Sequence, residues 1–199
     1  MHPTEARVLD TPSRWLVLLA VTGAQAAFSC VQVGLLAIGP SLQTRFGLSG
    51  GQVGLVGGAV TAGTVPALLA WGVLADRVGE RWVLGVGLTL TACLLLAASE
   101  AQDWKRLTLA LLATGAAGAS VVTGTSRAVF TRFGPHERAV ALGIRQSAIP
   151  VGGAAASVAL PWLVTQGGVG TALRALAALV VAAGAVAVLA MARPTGARR

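Results

Sequence analysis

Six long apolar runs, parted by short polar interruptions, cover most of the chain. They read as spans at about 15–38, 53–75, 82–98, 107–129, 139–164 and 169–192. Crossing a hydrocarbon core of about 30 Å takes about 20 apolar residues in a helix, and each run is near that length. A membrane barrel would instead alternate polar and apolar residues in strands of about ten. Every backbone polar group must be paired inside lipid, so continuous runs of this kind predict helices. The expected fold class is therefore all-α: a polytopic membrane protein with one six-helix bundle over residues 1–199. Gly39-Pro40 is read as the end of the first span.

Small residues and prolines pattern these spans further. Gly50, Gly54, Gly58 and Ala62 recur every four residues along the second span, a stripe that lets another helix approach closely. Gly115 with Ala119, and Gly152 with Ala156, repeat the pattern in the fourth and fifth spans. Gly153 extends the last of these. Pro66, Pro150 and Pro161 fall inside spans, where a missing N–H kinks a helix and frees a carbonyl. No internal repeat is visible, although a three-plus-three inverted arrangement can lie beneath strong divergence.

Composition supports the membrane reading. The chain is 55% apolar and 11% charged, with a mean hydropathy of +0.76, whereas soluble domains carry about 25% charged residues. The formal net charge of +8 does not indicate nucleic acid. The basic residues lie in short loops between apolar runs, not on one aromatic-studded face. With the N-terminus placed inside, Arg7, Arg14, Arg77, Arg81, Arg127, Arg132, Arg138, Arg145, Arg193, Arg198 and Arg199 fall on or near the inner side. Arg45, Lys105, Arg106 and Arg174 fall outside. That asymmetry predicts both termini in the cytoplasm and a cytoplasmic-membrane location. Trp15, Trp82, Trp104 and Trp162 stand at span ends as interface anchors, with Trp71 close to one. The first run is too long for a signal-peptide core.

Few chemistries remain open. Cys30 and Cys93 both lie in apolar runs without redox or metal spacing. The only histidines, His2 and His136, lie in aqueous segments, so an intramembrane Ser–His protease and a membrane zinc site are both unsupported. No Gly-x-x-x-x-Gly-Lys loop is present for a nucleotide-driven pump. The chain is thus expected to be no enzyme, with no cofactor, no metal and no catalytic residue. Polar groups within spans face protein or a water-filled cavity. Gln25 and Gln32 lie seven residues apart on one face of the first span. They either bind substrate or bond between helices. Arg145 and Gln146 lie about two turns into the fifth span. Arg145 invites an anionic substrate, a carboxylate or an inner-gate ion pair; the alternative is snorkelling to the surface. Arg127 has the same alternatives. No Asp or Glu lies at a span centre, so this chain offers no buried carboxylate for proton coupling.

The most specific stretch joins the second and third spans. It runs Gly72-Val73-Leu74-Ala75-Asp76-Arg77-Val78-Gly79-Glu80-Arg81. Asp76 ends one helix, Gly79 permits the turn, and Arg77 and Arg81 flank it. A carboxylate there pairs with an Arg or accepts from a helix N-terminus, holding one gate conformation, or it is a solvated surface group. Gly-x-Leu-Ala-Asp-Arg-x-Gly-x-Arg resembles the signature loop of the major facilitator superfamily of secondary transporters, and it falls between the same two spans. Glu80 stands where a basic residue is usual. The run Arg138–Gly153 resembles the entry to the fifth span in bacterial members. Its Pro150-Val151-Gly152-Gly153 is similar to the proline-glycine signature of the drug/proton antiporters, yet Ile149 replaces the glycine before the proline. The fourth span also has Ala113-Thr114-Gly115 in place of their Arg-Gln-Gly element. Drug/proton exchange is therefore not implied.

The resemblance covers the whole chain but only the N-terminal half of a twelve-span fold. It implies transport of a small solute by alternating access. It also implies a second six-span bundle, or a second copy, that would supply the partner of Asp76. The alternative is a truncated, non-transporting fragment or a membrane scaffold. Lipid and a small, unidentified substrate, anionic if Arg145 meets it, are the other expected partners.

Overall fold

Chain that must pair its own backbone in lipid coils into helices, and the computed structural model, which describes residues 11–192, consists of helices and short joints. Arg7, Arg193, Arg198, Arg199 and His2 lie outside the described residues. The helices are α1 (Thr11–Ala37), α2 (Gly39–Phe46), α3 (Gly50–Val78), α4 (Glu80–Ser99), α5 (Trp104–Arg132) and α6 (Pro135–Ala192). The 58 residues of α6 would reach about 87 Å if straight, nearly three bilayer cores. It is broken instead at Gly167 and Gly168. Gly168 adopts φ 78° and ψ −179°, a region essentially reserved for glycine, and the chain doubles back there. The limbs 135–166 and 169–192 are separate helices.

One element differs from expectation. Gly39-Pro40 does not close the first span; it opens the eight-residue α2, with proline in the first turn. Proline suits that place because the N–H it lacks would be unpaired there. The helix ends at Gly47, whose φ is 64°. The next entry is capped locally. Ser49 Oγ accepts from the Gln52 backbone N–H at 3.4 Å while Gln52 Oε1 accepts from the Ser49 N–H at 2.9 Å. Asp103 caps α5 in the same way, accepting from Arg106 N at 2.9 Å.

Glycine sets the helix spacing. A methyl group on Gly115 would overlap the Val60 carbonyl, and one on Gly63 would overlap that of Leu112, so α3 and α5 touch backbone to backbone. Gly87 admits Ser120 between α4 and α5. Gly152 meets Ala26, and Gly153 meets Val33, along α1. Cys30 donates to the Gly152 carbonyl at 3.2 Å, and Ser29 donates to that of Ile149 at 2.8 Å. Leu18, Phe28, Leu35, Leu84, Leu88, Leu111 and Leu173 fill the space between.

The stripe on α3 is a correction. Gly54, Gly58 and Ala62 are exposed, and a methyl group on Gly54 or Gly58 would meet nothing within 4 Å. The contacts of α3 inside the chain come from roughly the opposite face of the helix, where Val56, Gly57, Val60 and Gly63 are buried. The stripe therefore packs nothing within this chain.

Candidate functional site

Charged side chains gather at two ends of the bundle. At the near end Arg14 grips Glu137 with two bonds of 2.6 and 2.9 Å, tying α1 to the start of α6. At the far end Arg174 donates to Glu100 at 2.9 Å, which holds that carboxyl below the ordinary carboxylate range. Arg45 donates to the Ala101 carbonyl at 3.3 Å.

The loop between α3 and α4 belongs to the near end. Gly79 turns it, with φ 85°, and Gly72 lines the cleft that Asp76 overlooks. Asp76 is partnered inside this chain, contrary to the expectation that its partner needs a second bundle. Arg127, fifty-one residues later on α5, donates to Asp76 Oδ1. The reason is registry: α3 and α5 lie side by side and end at the same level. Asp76 keeps 73% of its side-chain surface exposed, so the contact remains open to other groups. Arg77 and Arg81 are exposed and form no ion pair among the described residues.

Glu80 is more than a departure from the usual basic residue. It is the half-buried hub of this end. Arg132 donates to Glu80 Oε1 at 2.8 Å, and Arg127 Nε lies 3.8 Å from its other oxygen. Glu80 also opens α4, where a negative charge complements the helix dipole. An acid at the one loop position where a base is usual is the signal that marks it.

A second polar cluster lies deeper. Arg145 is only 6% exposed, so it does not snorkel. Its Nε donates to Thr125 Oγ1 at 2.8 Å, and Nη2 donates to Gln25 Oε1 and to the Val122 carbonyl, both at 3.2 Å. Nη1 donates to Gln146 Oε1 at 3.2 Å. All four acceptors are neutral, and no carboxylate pairs with Arg145 among the described residues. Gln25 is 2% exposed, whereas Gln146 is exposed. Gln32 does not join them. It sits one level away, 3.5 Å from Thr64 Oγ1 of α3. Pro150 is exposed on the same limb as Arg145. Thr125 was missed by sequence reasoning, although the polar run Thr123-Gly124-Thr125-Ser126-Arg127 inside a span pointed to it.

A cleft of about 440 Å³ lies between α3 and α5, lined by Gly72, Ala75, Asp76, Val122, Thr123, Ser126, Arg127 and Phe130. Because the Val122 carbonyl accepts from Arg145, the buried guanidinium stands directly behind the cleft wall. The site thus combines an exposed ion pair with an interior cation that has no carboxylate partner among the described residues.

The sequence matches the Major Facilitator Superfamily model over residues 17–199. This chain belongs to the major facilitator superfamily. It is 32% identical over 155 residues to an uncharacterized MFS-type transporter of Mycobacterium tuberculosis, covering 78% of this chain and 35% of that protein. It is 35% identical over 112 residues to the nitrate/nitrite transporter NrtP of Nostoc punctiforme, covering 56% of this chain and 22% of the relative. It is 33% identical over 116 residues to a 3-(3-hydroxy-phenyl)propionate transporter of Escherichia coli, covering 56% and 28%. The fold matches a bacterial homolog of the human lysosomal transporter Spinster, in its inward-facing and occupied conformation, with a TM-score of 0.80 at 19% identity over 94% of this chain and 46% of that one. This superfamily chain is therefore an all-α, multi-pass membrane protein of a transporter family. It spans roughly a third of the length of the first relatives it matches.

Proposed function

We propose that this chain is one half of a secondary transporter that moves a small anion across the cytoplasmic membrane by alternating access. Both termini lie in the cytoplasm in this reading, and a second six-span bundle completes the passage. One observation carries the substrate class: Arg145 is a buried cation satisfied only by neutral acceptors, one of them the carbonyl of the cleft-lining Val122. A buried charge that lacks a counter-ion favours an arriving opposite charge strongly, because little water screens it. Two relatives are named for nitrate/nitrite and for a propionate, which agrees with an anionic cargo. The Asp76–Arg127 pair serves as the latch of the inner gate, with Gly72, Gly79, Arg77 and Arg81 shaping its loop. The exposed stripe of Gly54, Gly58 and Ala62 supports a second bundle or a second copy seated against α3, since small residues permit close helix approach.

The test uses the purified chain in detergent at constant ionic strength, titrated with nitrate or 3-phenylpropionate in exchange for a larger inert anion. Wild type and Arg145→Lys gain thermal stability from the ligand, and Arg145→Gln does not. An equal gain in Arg145→Gln, or a loss in Arg145→Lys as complete as in Arg145→Gln, would remove the charge-based reading. In proteoliposomes, uptake left untouched by Asp76→Asn would remove the latch.

A further inference from the structure

Two apolar clefts flank the second limb of α6. One, of about 740 Å³, lies against α1 and has no charged residue in its lining. The other, of about 790 Å³, lies against α4. Gly85, Gly184 and Ala185 withhold bulk from that seam, and Trp82, Val86 and Cys93 form part of its wall. Arg81 lines it at its near end. Arg81 is exposed and without an ion pair among the described residues, because neighbouring Glu80 is already engaged by Arg132. Trp82, 69% exposed, stands at the same level, where an indole suits the headgroup boundary.

We propose that this second cleft holds an acyl chain of an anionic phospholipid whose phosphate rests on Arg81. The dimensions favour a lipid over a helix. From Arg81 to Cys93 the cleft follows α4 for about 18 Å. That is close to one leaflet of a core about 30 Å thick, whereas a packed helix would need an apolar face along the whole span. Charge then selects the headgroup. An arginine at a membrane surface contributes about 1 kcal/mol toward an anionic lipid, or about a fivefold preference, while a guanidinium matches phosphate oxygens in pairs. The uncharged cleft beside α1 offers the same grease and no such preference.

Cys93 supplies the probe, being exposed within the cleft while Cys30 is buried. A Cys30→Ser chain carrying a fluorophore on Cys93 is placed in vesicles containing phosphatidylglycerol or phosphatidylcholine with brominated chains. The expected result is about fivefold preferential quenching by the brominated phosphatidylglycerol, kept in Arg81→Lys and abolished in Arg81→Gln. A label on Gly23→Cys in the uncharged cleft, with both native cysteines replaced by serine, shows no preference. Equal quenching by the two lipids at Cys93, or a preference that survives Arg81→Gln, overturns the proposal. Absence of quenching by either lipid also overturns it, since a second copy or another protein then covers the cleft. None of these outcomes depends on Arg145 or on transport.

Discussion

At the scale of single residues, the near end is organised by an acid that breaks a basic pattern. Glu80 takes Arg132 at 2.8 Å with about one sixth of each side chain exposed, so the pair is shielded more than a surface ion pair and hydrated more than a core one. Exposed pairs are worth about 0.2–1 kcal/mol, and residues in a shared network couple by about 0.5–3 kcal/mol. A double-mutant cycle of Glu80→Gln and Arg132→Gln, read as unfolding free energy in micelles, is expected to give a coupling within the second range. A coupling of zero would make this contact a solvated accident. Asp76 is different: its high exposure makes the bond to Arg127 weak in stability and available for exchange.

At the scale of helices, small residues play two roles that look alike in the sequence. Gly115→Ala drives a methyl group into the Val60 carbonyl. Overpacking costs about 1–3 kcal/mol, which exceeds the roughly 1 kcal/mol that alanine gains over glycine in a helix. Gly58→Ala meets nothing and keeps only the gain. Thermal unfolding in micelles is therefore expected to fall for the first and hold or rise for the second. The spans were legible because apolar runs of membrane length have few other uses. The direction each helix faces was not. Gly54 and Gly57 are the same residue type three positions apart, and only the docking of α3 on α1, where Gly57 meets Leu36, tells them apart. Likewise α2 was hidden by its brevity and its Gly-Pro start. Asp76 with Arg127, and Arg145 with Gln25 and Thr125, are joined across 51, 120 and 20 positions, far beyond any local periodicity. The loop motif, by contrast, was readable, since glycine at 79 answers a local backbone need.

At the scale of the whole molecule, charge separates the two ends. Arg77, Arg81, Arg127, Arg132 and Arg138 lie toward the near end, and Arg45, Lys105, Arg106 and Arg174 toward the far end. Excess basic residues mark the cytoplasmic side. In a chain whose native cysteines are replaced by serine, Gln102→Cys is expected to react with an impermeant maleimide added to intact cells. His2→Cys and Ala197→Cys should react only after lysis; the reverse pattern would invert the topology. The reversal at Gly168 bears on how such a bundle travels. Because two residues complete it, the fifth and sixth crossings are leashed together without slack. Neither can slip by one helical turn, about 5.4 Å, unless the other follows, so this corner moves as a single block. An epitope tag inserted there would pry the pair apart, while the 100–103 stretch has room to carry one.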